Sequence, residues 1–233
     1  MQYLLSLLIL LFMWCRVTAA AEFILDPGHS PSKPGAESCS GGQEYQYNDR
    51  LVATIRRALA QEGINCDITR NPKGDVSLHE RARMARGHLL FLSIHHDSAQ
   101  PQFVYQINGH PCSEKAQGFA IFVSGKNRYF EESKLYAQVL GRLLVQAGLQ
   151  PSTHHGEPIK GENRPLLDDE LGIYQFDDLV VLKGADAPAI LLEAAVIIHK
   201  EDDLRAKSVE YQALIAAAIV QTFQFVRQTV RDR

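Results

Sequence analysis

Leu89-Leu90-Phe91-Leu92-Ser93-Ile94 is a run of strand length, apolar but for Ser93, and it ends in His95-His96-Asp97. A run without polar alternation suits a strand buried on both faces, as in a parallel sheet covered by helices. Ligands of such sheets bind just beyond the carboxyl ends of the strands. The polar triplet therefore stands where a site is expected.

The flanking sequence has the same grammar. Upstream, Phe23-Ile24-Leu25-Asp26 reads as a first strand that runs into Pro27-Gly28-His29, followed by a Ser-, Pro- and Gly-rich loop over 30–42. Leu51, Ile55, Ala58 and Leu59 recur at helical spacing until Gly63, and 64–69 reads as a second strand. Ser77 with Glu80 three residues on forms a capping box that opens a short helix. Downstream, 118–124 reads as a strand and 131–147 as a helix ending near Gly148. Residues 149–178 are polar, carry three prolines and the pair His154-His155, and show no clear period. Val180-Val181-Leu182 and Ala189-Ile190-Leu191-Leu192 are short apolar runs, the second ending in Glu193. A last helix carries Leu214, Ile215, Ala218, Ile219, Phe223 and Val226 on one face. This order predicts one α/β domain with a largely parallel central sheet flanked by helices.

Composition narrows the class. The chain has 233 residues, 45% of them hydrophobic and 22% charged, with a formal charge of -3. That suffices for a sizeable core and gives no basic footprint for a nucleic-acid partner. Tyr3 to Met13 is apolar except for Ser6, and Thr18-Ala19-Ala20-Ala21 follows. An apolar segment before small residues is the pattern of a cleaved secretory signal. Residues 1–21 are thus read as a signal peptide and 22–233 as the catalytic domain. Two other readings are a membrane anchor, although the run is shorter than the ~20 residues of a spanning helix, and acylation at Cys15. Export implies a periplasmic or cell-envelope protein with no stable membrane span after cleavage.

Three strand ends deliver His29, His95 and Glu193 to one sheet edge, and Glu44 stands at the approach to the first helix. Two imidazoles and a carboxylate make a catalytic zinc set that leaves one position open. Taken singly, each residue reads as well as a structural hydrogen-bonder or a helix-dipole partner. No H-E-x-x-H spacing settles the matter.

The ordered set of motifs resembles the zinc N-acetylmuramoyl-L-alanine amidases of the amidase-3 type, over about residues 23–230. The matches are Ile24-Leu25-Asp26-Pro27-Gly28-His29, Glu44, Thr69-Arg70, Leu78-His79-Glu80-Arg81, Ser93-Ile94-His95 and Pro188-Ala189-Ile190-Leu191-Leu192-Glu193. The resemblance implies a Zn2+ cofactor held by His29, Glu44 and His95, with Glu193 as the catalytic carboxylate and His96 outside the ligand set. It implies cleavage of the amide between N-acetylmuramic acid and L-alanine in peptidoglycan. Where the family commonly carries Gly-Phe after the catalytic Glu, this chain has Ala194-Ala195-Val196. The alternatives are a zinc peptidase or deacetylase acting on another amide, and a non-catalytic wall-binding protein of the same fold. No protein activator can be named from the sequence.

Cys39 and Cys112 lie in loops expected to leave the same sheet edge, whereas Cys66 falls inside the second strand. A Cys39–Cys112 bridge with a buried free Cys66 is expected, the alternative being three free thiols. The segment 149–178 has two readings: a solvated surface loop, or a lid whose His154, His155, Glu157 or Glu162 reaches an open zinc position.

Overall fold

Alternating apolar residues assign the two faces of the central sheet. In β1 (Phe23–Pro27), Phe23 and Leu25 enter the larger core while Ile24 enters a smaller one. In β3 (Leu90–Asp97), Leu90, Leu92 and Ile94 join the larger core and Phe91 the smaller. In β9 (Ala189–Val196), Ile190, Leu192 and Ala194 divide from Ala189 and Leu191 in the same way. The period of two therefore sends Asp26, Ser93, His95 and Glu193 to the face with the smaller core.

The computed structural model describes residues 21–71, 74–160 and 162–232. The apolar segment read as a signal lies outside them, apart from Ala21. The remaining strands are β2 (Cys66–Ile68), β4 (Tyr105–Ile107), β5 (His110–Cys112), β6 (Ala120–Val123), β7 (Leu166–Asp168) and β8 (Ile173–Gln175). Seven strands form one sheet in the order β2-β1-β3-β9-β6-β8-β7, while β4 and β5 make a separate hairpin. β2, β1, β3 and β9 pair in parallel, β6 runs antiparallel to β9 and parallel to β8, and β7 closes the edge antiparallel to β8. The α/β domain with a mostly parallel sheet is as the sequence indicates.

Helices α1 (Glu44–Gln61), α3 (Phe130–Gln146) and α6 (Val209–Arg231) cover the larger core. The shorter α2 (Leu78–Met84) and α4 (Val180–Lys183) cover the smaller one, and α5 (Lys200–Lys207) leads into α6. Ser77 caps α2, its side chain accepting from the Glu80 N–H. Among the described residues α6 alone is long and apolar enough to cross a membrane. Its apolar stripe is core instead, with Phe223 stacked on Phe23 at 4.1 Å between ring centroids.

The apolar run 180–182 forms a helical turn, α4, and one other segment differs from the expectation. The aperiodic stretch 149–178 is not one loop, because it contributes β7 and β8 to the sheet edge. Both strands are only three residues long, too short to display a period.

Cys39 and Cys112 are bridged, with Cα atoms 4.7 Å apart, and Cys66 is free. The bridge fastens the loop before α1 to the β4–β5 hairpin. Both partners sit over the segment that follows β9, since Cys39 N donates to Ile197 O and Ser113 N to Ile198 O. The Cys66 thiol, pushed up to about 12 by burial, stays protonated at neutral pH. The bridge joins residues 73 apart, so Cys39→Ser with Cys112→Ser should cost about 2–5 kcal/mol in urea unfolding. An unchanged unfolding midpoint would show that the bridge carries no stability.

Candidate metal centre and catalytic carboxylate

The chain leaves β1 through Pro27-Gly28 and places His29 in the left-handed region at φ 59°, a conformation that a non-glycine residue holds only when its surroundings enforce it. Two guanidinium groups do so. Arg81 donates from Nη2 to the His29 carbonyl at 3.3 Å and from Nη1 to the Pro27 carbonyl at 3.3 Å, and Arg70 also donates to the His29 carbonyl. Arg81 in turn faces the sealed carboxylate of Asp26 at 3.6 Å. Asp26 further accepts from Thr69 Oγ1 and from Ser93 Oγ at 2.8 Å. Asp26, Thr69, Arg70, Arg81 and Ser93, drawn from four of the sequence motifs, thus form one polar support beneath His29.

Glu44, the first residue of α1, is buried between the two imidazoles. Its Oε2 lies 3.0 Å from His29 Nε2 and its Oε1 lies 3.0 Å from His95 Nδ1. The Ala36 N–H donates to Oε2 at 3.0 Å, while Asn48 Nδ2 and the His96 N–H donate to Oε1 at 3.3 Å each. Burial penalises the Glu44 charge, but the hydrogen bonds and charges of His29 and His95 outweigh it and hold Glu44 well below the usual carboxylate range. Burial likewise opposes a charged His29, and the Glu44 carboxylate more than compensates, so that imidazole is raised.

Two glycines make room for this cluster. A methyl group on Gly28 would overlap the His95 ring, and one on Gly35 would meet Glu44 and His29. Gly35 also has φ 77°, which a larger residue would resist.

His29, Glu44 and His95 bring one ligand atom each to within 4.8 Å of one another. Two imidazole nitrogens and a carboxylate oxygen make a donor set suited to a catalytic zinc site, and the Glu44 oxygens are braced by Ala36, Asn48 and His96. His96 turns the other way. It is buried, its Nδ1 donates to Asn48 Oδ1 at 2.7 Å, and burial pulls it down to about 3, so it stays neutral.

Glu193 is the register partner of His95 across β3 and β9. It sits within β9, which continues to Val196, and His95 likewise precedes the end of β3. Both residues were expected at strand ends; the continuations to Asp97 and Val196 place them two and three residues inside their strands. Glu193 Oε2 is sealed from solvent without a hydrogen-bond partner. Burial, then the charges of Asp97 and Glu44, push this carboxyl well above the ordinary range. A 780 Å³ pocket has His29, His95, Glu193, Lys33 and Arg81 on its polar side and Leu179 to Val181 from the α4 region on its apolar side. That volume admits a ligand of small-molecule size.

Asn48 and Asp26 were not singled out by the sequence reading as parts of the site. Asn48 follows Glu44 by four residues and so shares its helix face, a spacing that could have flagged it. Neither His154, His155, Glu157 nor Glu162 lines the pocket. His154 and His155 gather on Asp97 instead, and Glu162 meets His155.

The family model described as N-acetylmuramoyl-L-alanine amidase, Amidase_3, matches residues 23–224. The chain is 26% identical over 212 residues to the N-acetylmuramoyl-L-alanine amidase AmiA of Escherichia coli K12, covering 85% of this chain and 73% of that protein. It is 26% identical over 210 residues to AmiA of Salmonella typhimurium, covering 84% and 72%. Among solved structures, the amidase Ami1 from Mycobacterium smegmatis superposes with a TM-score of 0.70 at 22% identity, over 91% of this chain and 99% of that one, which shows a shared fold.

Replacing Arg81 with Met leaves the Asp26 carboxylate buried without its cation. Arg81→Met should destabilise the protein by about 3–5 kcal/mol and lower its metal occupancy. Chemical denaturation and metal analysis read the two effects; a stable variant with full metal would contradict the supporting role of Arg81.

Proposed function

Since the chain belongs to the Amidase_3 family, we propose that it cleaves its substrate in a zinc-dependent reaction, with His29, Glu44 and His95 holding the ion and Glu193 moving the proton. The activity itself is that of a peptidoglycan hydrolase acting on the amide between N-acetylmuramic acid and L-alanine. The observation that carries the mechanistic reading is the pairing of His95 with Glu193 beside a ready-made two-His, one-carboxylate cluster.

An amide carbonyl is a poor electrophile, and when bound the ion supplies a Lewis acid for it and for water. The chain supplies the rest. Glu193 removes the proton of the attacking water and returns it to the departing L-alanine amine, one carboxylate serving as base and then as acid. Burial and the charges of Asp97 and Glu44 raise its affinity for protons, which suits it to hold the proton and pass it to the leaving amine. The Asp26–Arg81 pair holds the His29 backbone in its left-handed conformation, and Asn48 holds Glu44. The apolar wall of Leu179, Val180 and Val181 limits water around the bond being cut. The apolar segment before residue 22 supports export to the periplasm or cell envelope, where peptidoglycan is met.

Glu193→Gln keeps the side-chain shape and removes the base. This variant should fold, retain its zinc and lose turnover on peptidoglycan by roughly 10²–10⁴-fold. His29→Ala should lose both the ion at this cluster and activity. Near-normal release of stem peptides by the Gln variant would overturn the role given to Glu193, and zinc loss in that variant would make Glu193 a ligand instead.

A further inference from the structure

Beyond this site, we infer that Asp97, His154 and His155 form a second metal site, built for a divalent first-row transition ion of the zinc class. The three residues bring one ligand atom each to within 4.8 Å of one another. Both imidazoles aim Nε2 at one oxygen: His155 lies 2.6 Å and His154 3.2 Å from Asp97 Oδ2. Their opposite nitrogens are already engaged. His155 Nδ1 meets Glu162 Oε2 at 3.1 Å, and His154 Nδ1 meets Ser152 Oγ at 2.7 Å. A ring fixed through Nδ1 by a carboxylate or hydroxyl, with Nε2 turned inward, is the hallmark of a metal-binding histidine and its supporting partner.

A second observation points to a ligand. His154 is only 4% exposed, and its Nε2 has no hydrogen-bond partner even though Asp97 Oδ2 is 3.2 Å away. The approach lacks the direction of a hydrogen bond, which leaves this buried nitrogen open to another partner. The neighbouring Gln100 Oε1 is also sealed without a partner and belongs to a residue lining the same 260 Å³ pocket. That pocket supplies room for the further ligand that three protein donors leave to be filled. Two imidazoles with one carboxylate favour zinc and its transition-metal neighbours over calcium or magnesium, which prefer all-oxygen sets.

The ion's place in the fold defines its effect. Asp97 ends β3, two residues beyond His95, while the two histidines and Glu162 come from the segment between α3 and β7. An ion shared by Asp97, His154 and His155 therefore fastens that segment to the strand bearing His95. The inference stands apart from the reading of the His29–Glu44–His95 cluster and is separable from it by experiment.

Protein stripped with a chelator is titrated with Zn2+, and bound metal is counted after dialysis. The wild type should take up two equivalents, His29→Ala one, and the His154→Ala, His155→Ala double variant one. Co2+ added to His29→Ala, which keeps the second cluster intact, should give the intense visible absorption of a low-coordinate ion with nitrogen ligands. One equivalent in the wild type, lost in His29→Ala and kept in the double variant, would overturn the inference and leave a His155–Asp97 ion pair. So would a His29→Ala protein that binds no cobalt. One equivalent lost only in the double variant would instead uphold the second site and refute the first, so the two failures cannot be confused.

Discussion

A carboxylate with no exposed surface, Asp26, organises the centre of this protein. It receives the Thr69 and Ser93 hydroxyls and faces the Arg81 guanidinium. Through those contacts it joins the end of β1 to β3, to the segment after β2 and to α2. A buried charge of this kind is costly unless each lone pair is met. The three elements around it are consequently held in one arrangement, and that arrangement sets the His29 backbone. The left-handed turn at His29 stands on the arginines that Asp26 and Asp49 anchor.

Strand pairing does the remainder. Parallel pairing of β3 with β9 sets His95 opposite Glu193, and the period of two keeps both on the face of the smaller core. Glu44 reaches the same place from the first turn of α1, where Asn48 one turn on braces it. Electrostatics then divides the labour between the carboxylates. Glu44 lies against two imidazoles and is held as an anion, whereas Glu193 lacks a cationic partner at its sealed Oε2 and favours its proton. Two chemically similar side chains become a candidate ligand and a candidate proton carrier through their surroundings alone.

The parts of this design that the sequence displays are those made by long apolar runs. Residues 89–94 and 189–192 stand out because a doubly buried strand tolerates little polarity, and they point to the correct edge of the sheet. They do not give the depth of the site, since the small apolar residues after Glu193 extend β9 past it. The short strands β7 and β8 were hidden because three residues cannot show a period and the intervening polar residues resemble a loop. Asp26 was visible as part of a motif, but its task depends on Thr69, Arg81 and Ser93, which lie 43 to 67 residues away. Likewise His154-His155 was conspicuous as a pair, while its partner Asp97 comes from a distant strand. Local pattern thus names candidate groups, and only tertiary pairing decides which of them meet.

The central claim is that one ion sits between His29, Glu44 and His95 with Glu193 beside it. Anomalous diffraction collected on both sides of the zinc absorption edge, from crystals of the zinc-loaded protein, tests it most directly. The account predicts a zinc peak bonded to His29 Nε2, His95 Nδ1 and a Glu44 oxygen, with the Glu193 carboxylate adjacent and unbound. A zinc-loaded protein with no peak among those three side chains would contradict it.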